Sequence, residues 1–318
     1  MRSRRIKKNG LLLVNLGSPA TPTTADVKHY LNVFLSDRNV VTMPPALWQP
    51  ILKGFVLPMR SWRSATFYRD IWTEEGSPLI VYTARLTKRV QDLLPDWDVR
   101  MAMTYEQPSI QETLTAMLNA GEEVTVLPLF PHFTQSTTQS IIDQVHAVDP
   151  TIPVIDRFAD EPEYLQLLAD HIQAAWQRKK YDRLLITYHG IPTAMVKHGD
   201  PYQEETERTT ARLRQLLDIP DEQIKMAYQS KFGPMPWLKP YLRNTLMQEA
   251  QLGNRNVLLA VPSFVTDCLE TLEEDGVQNY QVFRSSGGQE LNLVPALNDQ
   301  PAFARFIANL AQKRGGQA

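Results

Sequence analysis

The sequence predicts an α/β protein of two doubly wound lobes with parallel sheets and a cleft between them. Short β-branched apolar runs alternate with longer amphipathic stretches, which is the pattern of parallel βαβ units. The same strand–helix rhythm occurs twice, before and after about residue 155. The chain of 318 residues is long enough for two domains of ordinary size.

The predicted strands are short apolar runs that end in turn-forming residues. They are Gly10–Leu16, Val99–Thr104, Glu123–Leu129, Ile152–Ile155, Arg183–Tyr188, Lys225–Tyr228 and Asn256–Val261. The predicted helices have apolar residues at helical spacing. They are Thr24–Leu35, Ser109–Asn119, Gln139–Val148, Pro162–Gln177, Glu204–Leu217 and Leu238–Gln251. We therefore place an N-terminal lobe at residues 1–155 and a C-terminal lobe at 156–318, with a last helix at about 301–313 that packs back on the first lobe.

Composition excludes several classes of protein. Lysine plus arginine (33) nearly balances aspartate plus glutamate (35), so we expect no nucleic-acid partner. Cys268 is the single cysteine, which excludes an intramolecular disulfide and fits a reducing compartment. No signal peptide and no membrane-spanning apolar stretch is visible in the sequence. We expect a cytoplasmic protein and a monomer.

Residues 44–59 interrupt the strand–helix rhythm. This segment has four prolines and several large apolar residues, and Lys53 is its only charge. Because prolines at this density oppose a regular helix, we expect a loop. One interpretation buries the loop in the core. The other makes it an exposed apolar lip, with Trp48 and Leu57 as test positions, that meets an apolar ligand or the inner face of a membrane.

Aromatic residues and a few titratable groups follow the predicted strands. Ligands of open parallel sheets bind beyond the carboxyl ends of the strands, so these residues should line one pocket. The pocket should be large, flat-walled and mostly apolar. Its predicted aromatic lining residues are Tyr105, Phe130, Phe264 and Trp237.

The titratable candidates lie at two of these strand ends. His189 follows the apolar run of a strand and precedes a glycine, so it suits catalysis, although a lone histidine is more often structural. His132 has a similar setting and is the weaker candidate. On an α-helix Asp267, Glu270 and Glu274 would share one face. They either cap and stabilise the helix start or relay protons and cations into the pocket.

Several strings at these positions resemble the ferrochelatase family, particularly its proteobacterial branch. The resemblance runs from about Gly10 to Leu297 and covers nearly the whole chain. The strings are LLLVNLGSPATPTTADVKHYL, FLSDRNVV, EEGSPL, VLPLFPHFTQSTTQS, TYHGIP, HGDPY, YQSKFGPMPWL and PSFVTDCLETLEE. The resemblance implies two Rossmann-like lobes that hold a porphyrin, and an enzyme that inserts Fe²⁺ into protoporphyrin IX to form protohaem.

The resemblance also implies roles for single residues. The family's invariant histidine corresponds to His189 and its essential glutamate to Glu270, with Glu274 continuing an acidic path. His189, Glu270 and Glu274 would then contact Fe²⁺ as a substrate. The substrate-binding positions are Tyr105, Phe130, Ser136, Thr137, Phe264 and Trp237. We expect no permanently bound cofactor, and the [2Fe–2S] cluster of some relatives cannot form with one cysteine.

Two other functions compete with this interpretation. A chelatase that loads metal into a more acidic tetrapyrrole would need many cations, whereas Lys231 is the one clear cation at the predicted strand ends. A non-catalytic haem carrier would bind its ligand without turnover. Thr104 stands where mitochondrial members of the family carry an arginine, so the contact to a propionate is expected to differ.

Overall fold

The computed structural model describes residues 8–315. Contacts divide these residues into two compact units. The first unit contains the described residues up to Phe130, residues 135–157 and those from Asp299 onward. The second unit contains Pro131–Thr134 and Phe158–Asn298. The lobe limits 1–155 and 156–318, and the cleft between the lobes, stay predictions.

A three-stranded parallel sheet forms the centre of the first unit. Its strands are β1 (Asn9–Asn15), β2 (Asp98–Met103) and β3 (Glu123–Pro128), in the order β2-β1-β3. The run Leu11–Val14 is fully buried, which is typical of a central parallel strand that is covered on both faces. The strand predicted at Ile152–Ile155 is only an isolated bridge, from Val154 to Val126.

Helices cover both faces of this sheet. They are α1 (Thr24–Ser36), α4 (Pro78–Leu93), α5 (Ile110–Asn119), α6 (Ser140–Val148) and α12 (Pro301–Gly315). Apolar residues of α5 and α6 form one core cluster with β1 and β3. The last helix, α12, packs against α4 and β3 within the same unit. This arrangement is doubly wound.

The segment expected to be a loop at residues 44–59 is helical, so that expectation is wrong. It forms α2 (Pro45–Ile51), a π-helical segment (Leu52–Val56) and the start of α3 (Leu57–Ile71). Pro45 occupies the first turn of α2, where its missing N–H would have no intrahelical partner. Pro50 lies inside α2 and is followed at once by the π-helical segment, which changes the hydrogen-bond pairing.

The two test positions chosen on this segment are not on its exposed face. Trp48 is half-buried and donates its indole N–H to the Leu35 carbonyl at 2.6 Å. Leu57 is only 2% exposed. The exposed apolar side chains are instead Leu47, Ile51, Phe55, Met59 and Trp62.

A four-stranded parallel sheet forms the centre of the second unit. Its strands are β4 (Arg183–His189), β5 (Ile224–Gln229), β6 (Asn256–Ala260) and β7 (Glu290–Leu293), in the order β5-β4-β6-β7. Strand β7 was not predicted, because its four residues alternate between polar and apolar and give no continuous apolar run.

Helices surround the second sheet, and one helical segment has a different geometry. The α-helices are α7 (Pro162–Trp176), α8 (Thr193–Lys197), α9 (Tyr202–Leu216), α10 (Leu242–Gln251) and α11 (Tyr280–Ser285). Residues Glu270–Asn279 form a π-helix instead. The predicted fold class of two α/β units with parallel sheets is confirmed. Within residues 8–315 no helix is both long and apolar enough to cross a bilayer.

Candidate active site

His189 is the last residue of β4, and its hydrogen bond determines its tautomer. Its Nδ1 lies 2.7 Å from the Gly190 carbonyl oxygen. Because a carbonyl oxygen only accepts, Nδ1 carries the proton in the neutral ring. Nε2 then keeps a lone pair that can accept a proton or bind a metal ion.

Gly190 allows neighbouring groups to pack closely beside this histidine. His189 pairs with Gln229 of β5, and the Gly190 N–H donates to the Gln229 carbonyl at 2.9 Å. A Cβ at position 190 would lie 2.9 Å from that carbonyl oxygen and 3.3 Å from Trp237 Cε3. The glycine therefore lets Gln229 and Trp237 approach the end of β4.

Two of the predicted substrate-binding aromatics flank His189. The ring centroids of Trp237 and Phe264 each lie 6.4 Å from that of His189. Trp237 Nε1 is buried and has no hydrogen-bond partner among residues 8–315. An indole N–H only donates, so this position can receive an acceptor from a ligand.

Glu274 is held by the residue that follows β5. Ser230 donates its backbone N–H to Glu274 Oε1 at 2.8 Å and its hydroxyl to Oε2 at 2.5 Å. Burial raises the pKa of the Glu274 carboxyl above its usual range, and the nearby Glu270 charge adds to the rise. The bonds from Ser230 and the charge of His189 act in the opposite direction on this pKa. A positive charge on the His189 ring therefore favours the anionic form of Glu274.

The acidic residues lie differently from the α-helix expectation. Glu270 and Glu274 are four apart on the π-helix and both are half-buried. Asp267 precedes the helix and is 4% exposed. Its carboxylate accepts from Thr271 Oγ1 at 2.9 Å and from Asn298 Nδ2 at 2.7 Å. Asp267 therefore stabilises the start of the helix. Its role differs in this from Glu270 and Glu274, which lie on the π-helix itself.

Sequence reasoning missed Asp275, which is 1% exposed. Asn279 Nδ2 donates to Asp275 Oδ1 at 2.9 Å. Burial raises the pKa of Asp275 well above its usual range, and the Glu274 charge raises it further. A run of three consecutive acids at residues 273–275 is typical of a solvated helix face, so the burial of Asp275 could not be predicted from this pattern.

No preassembled metal cage is present in the described part of the chain. Among residues 8–315 no three His, Cys, Asp or Glu side chains are grouped closely enough to hold a metal ion. The roles of His189, Glu270 and Glu274 as contacts of a substrate metal ion stay predictions.

Tyr105 lies in the first unit and is buried. Its hydroxyl donates to Asp37 Oδ2 at 2.8 Å, and its ring contacts Phe34 at a centroid distance of 5.2 Å. Burial and the Asp37 charge raise the pKa of Tyr105 above its usual range. Gly17 has φ +106°, and a Cβ there would lie 1.9 Å from the Tyr105 carbonyl oxygen. Gly17 thus leaves room for the backbone of Tyr105.

The other predicted substrate-binding residues of the first unit follow β3. Phe130 is half-buried and packs against the core formed by β1, β3, α5 and α6. Ser136 and Thr137 belong to a π-helical segment, Gln135–Gln139, that leads into α6. Thr137 Oγ1 is buried and lacks a hydrogen-bond partner within the described residues.

His132 is a structural residue of the second unit. It is 2% exposed, and its Nε2 and Thr209 Oγ1 share a hydrogen bond of 2.9 Å. Burial lowers the pKa of His132 to about 3, so the ring is neutral near neutral pH. The two residues after His132 also bond to buried acids. The Phe133 backbone N–H donates to Glu205, and the Thr134 hydroxyl donates to Asp200. A catalytic role for His132 is therefore not supported.

Comparison with protein families and curated proteins gives a consistent result. The ferrochelatase family model matches residues 8–315. A protein of Limosilactobacillus reuteri named coproporphyrin III ferrochelatase is 68% identical over 310 residues, covering 98% of this chain and 100% of the relative. Proteins of the same name from Lacticaseibacillus paracasei and Lactococcus lactis subsp. lactis are 57% and 41% identical, each over 96% of this chain and over 96% and 98% of the relative. The expected family is confirmed, whereas these relatives do not support the proteobacterial branch.

Solved structures share the fold at low sequence identity. The sirohydrochlorin chelatase SirB from Bacillus subtilis subspecies spizizenii, in complex with cobalt, has a TM-score of 0.56 and 11% identity, over 98% of each chain. SirB from Bacillus subtilis with Fe³⁺ has a TM-score of 0.52 and 11% identity, over 96% of this chain and 95% of that one. These likenesses concern the fold alone.

Proposed function

The chain belongs to the ferrochelatase family and inserts Fe²⁺ into a porphyrin, and from this premise we propose that its substrate is coproporphyrin III. Relatives of three genera, at 41% to 68% identity, carry this substrate in their names. The proposal replaces protoporphyrin IX, the substrate expected from the sequence. It also makes the product an iron coproporphyrin in place of protohaem.

One observation carries the chemical part of the proposal. The bond from His189 Nδ1 to the Gly190 carbonyl leaves the lone pair of the neutral ring on Nε2, at the end of β4. Insertion replaces two pyrrole protons with Fe²⁺, so a base must accept protons while the metal–nitrogen bonds form. A neutral imidazole suits this task near neutral pH. We assign the first pyrrole proton to His189 Nε2, and the second to the same nitrogen after the first has passed to solvent.

The carboxyl groups on the π-helix can stabilise the positive charge that this proton transfer creates on His189. Protonated His189 is a cation, and its charge favours the anionic form of Glu274. Ser230 stabilises the anionic form of Glu274 through two hydrogen bonds. We therefore propose that Glu274 stabilises the imidazolium and, with Glu270, passes the proton outward or contacts the incoming Fe²⁺.

The aromatic residues beside His189 suit the second requirement of insertion. A planar porphyrin must bend so that a pyrrole lone pair points at the metal ion, and binding energy from the rest of the ring can sustain the bend. Trp237 and Phe264 provide rigid apolar surfaces beside the imidazole. We propose that they press on the macrocycle.

An unpaired donor beside His189 supports a substrate that is rich in carboxylates. Coproporphyrin III has propionates where protoporphyrin IX has vinyl groups. Trp237 Nε1 is buried without a partner among the described residues. A buried donor without an acceptor costs about 1–3 kcal/mol, and a propionate oxygen would satisfy it. We propose that Trp237 Nε1 binds a substrate carboxylate.

An anaerobic insertion assay tests this function. Purified protein is mixed with Fe²⁺ and either coproporphyrin III or protoporphyrin IX, and the absorbance change that accompanies metallation is followed. We expect multiple turnovers and a kcat/KM for coproporphyrin III at least about tenfold higher than for protoporphyrin IX. The reason is that protoporphyrin IX lacks the propionates that would form these polar contacts. A preference for protoporphyrin IX would refute the substrate. Binding without turnover would indicate a carrier instead.

A further inference from the structure

The loop between β5 and α10 carries Trp237, one of the two aromatic residues beside His189. Residues 231–236 of this loop are all exposed, including the apolar side chains of Phe232 and Met235 at 47% and 58%. Apolar burial therefore contributes little to the order of this stretch. The position of Trp237 depends on other contacts of the loop.

Backbone hydrogen bonds fix the second half of the loop. The Leu238 N–H donates to the Ile191 carbonyl at 3.0 Å, just beyond the end of β4. The Tyr228 N–H of β5 donates to the Pro240 carbonyl at 2.8 Å. These bonds place residues 238–240 beside the ends of the two strands.

Tyr241 contacts lysines from both ends of the loop with one ring. The Lys231 ammonium lies 5.2 Å from the ring centroid, and the Lys239 ammonium lies 5.7 Å from it. Both distances fall within the range of cation–π attraction, which extends to about 6 Å. Lys231 and Lys239 are exposed, whereas Tyr241 is half-buried. We define these three residues as the clasp.

The ring is a fixed platform, and the nearby sequence offers the lysines no carboxylate. Tyr241 immediately precedes α10, and its carbonyl accepts from the Thr245 N–H at 3.0 Å and from the Thr245 hydroxyl at 3.1 Å. Residues 225–248 include no aspartate or glutamate. No ion pair within this stretch can therefore compete with the ring for the two ammonium groups.

We propose that Tyr241 is a positioning residue for iron insertion: it holds Lys231 and Lys239 on one ring, closes the loop between them and so keeps Trp237 beside His189. When the clasp opens, the apparent affinity for the porphyrin falls in proportion to the fraction of molecules that remain clasped. Two exposed cation–π contacts together shift this equilibrium by a factor of about 5–30, or about 1–2 kcal/mol. The inference rests on the proposed function, which gives Trp237 a contact with the substrate.

Tyr241→Leu tests the clasp because it removes the ring and no charge. We expect KM for coproporphyrin III to rise about fivefold, with kcat within about threefold of the parent's. Tyr241→Phe keeps the ring face and should restore the parent's KM. Tyr82→Leu is the matched control, since it removes a ring whose centroid lies 5.9 Å from the Arg85 guanidinium in α4. An unchanged KM in Tyr241→Leu would overturn the proposal.

Combined substitutions show whether the clasp acts as a unit and through Trp237. Lys231→Gln with Lys239→Gln should raise KM as Tyr241→Leu does, and adding Tyr241→Leu to this pair should change KM less than about twofold. In Trp237→Ala, Tyr241→Leu should likewise have little further effect. Effects that multiply in the combined variants would mean that the ring and the lysines act separately, which contradicts the clasp.

A charge control accompanies the lysine pair. Lys88→Gln with Lys180→Gln removes the same charge from exposed positions elsewhere in the chain. This variant should keep the parent's KM. If it raises KM as much as the pair in the clasp does, general electrostatic attraction explains the effect and the proposal is wrong.

Amide hydrogen exchange tests the clasp without turnover. The Leu238 N–H is bonded to Ile191 and exchanges when this part of the loop opens. Tyr241→Leu should speed its exchange about 5–30-fold, and Tyr82→Leu should not. The Leu259 amide in β6 should keep its rate, which separates loop opening from global unfolding. An unchanged rate at Leu238 would overturn the clasp, whereas a parent that inserts no iron would refute the proposed function alone.

Discussion

Ser230 gives the Glu274 carboxylate two hydrogen bonds, from its backbone N–H at 2.8 Å and from its hydroxyl at 2.5 Å. The backbone of Ser230 has φ +64°, a region that favours glycine. In this conformation, at the end of β5, the backbone N–H and the hydroxyl of Ser230 both donate to the same carboxylate. The carboxylate is thereby stabilised at a half-buried position where desolvation acts against it.

We predict that Ser230→Ala shifts the acid limb of the pH–activity profile to higher pH. Loss of the hydroxyl removes a bond to the anionic form, so the pKa of Glu274 rises further and the anion is lost earlier as pH falls. The measurement is kcat/KM for iron insertion between about pH 5 and 9. Ser285→Ala, at an exposed serine of α11, is the control. An unchanged acid limb would contradict a role for the Glu274 anion.

Gly190→Ala should lower both stability and activity. The added Cβ would lie 2.9 Å from the Gln229 carbonyl oxygen and 3.3 Å from Trp237, and relieving such overpacking costs about 1–3 kcal/mol. Gly54→Ala is the matched control, because a Cβ added there would meet no atom within 4 Å. Urea unfolding should show a lower midpoint for the first variant only. Equal midpoints would mean that the packing around position 190 adapts without cost.

Substitutions of Asp267 and Glu270 should affect different properties, folding stability at Asp267 and the insertion rate at Glu270. Asp267→Ala removes the acceptor of Thr271 and Asn298, so we expect a loss of about 1–3 kcal/mol of folding free energy. Glu270→Gln should lower the insertion rate at least about tenfold and leave the unfolding midpoint close to the parent's. Unfolding curves and turnover are measured on both variants. A purely thermal defect in Glu270→Gln would favour the helix-capping interpretation.

Trp237→Phe tests the binding of a propionate. The change keeps an aromatic ring beside His189 and removes the unpaired indole N–H. We expect KM for coproporphyrin III to rise about tenfold with kcat within about threefold, as for a lost charge-assisted hydrogen bond. Trp176→Phe, which lies in α7 and stacks on Tyr181, is the control. An unchanged KM would leave Trp237 as an apolar surface only.

The raised pKa of Glu122 predicts that the folding stability of the first unit depends on pH. Burial and the neighbouring Asp98 raise the pKa of Glu122 from 4.5 to about 7. The folded state therefore holds this proton more tightly than the unfolded chain does. The stabilisation is complete below about pH 4.5 and is lost as pH rises through about 7. Glu122→Gln should reduce the difference in urea midpoint between pH 5 and pH 8, and an identical difference would contradict the assignment.

The ends of the strands could be predicted because buried parallel strands appear in the sequence as continuous apolar runs. Six of the seven strands found among residues 8–315 lie where they were expected, and His189 is at the end of β4 as expected. Continuous apolar runs such as Leu184–Ile186 are buried on both faces and can be recognised without a partner. Strand β7 lacked such a run, so its position depends on pairing with β6.

The π-helices could not be predicted from apolar periodicity. Periodicity arguments assume α-helical spacing, which placed Asp267, Glu270 and Glu274 on one face. The π-helix starts at Glu270, and Asp267 remains outside it as a buried acceptor. At residues 44–59 the prolines opposed a helix, yet they fall at a helix start and beside a π-helical segment. Tertiary contacts, such as the Trp48 bond to Leu35, decide these segments.

The most direct measurement is the anaerobic insertion rate of His189→Gln, compared with its binding of coproporphyrin III by fluorescence quenching. Loss of a general base should lower the rate about 10²–10⁴-fold and leave the dissociation constant within about threefold of the parent's. Turnover within a few-fold of the parent, with intact binding, would contradict the proposal that His189 accepts the pyrrole proton.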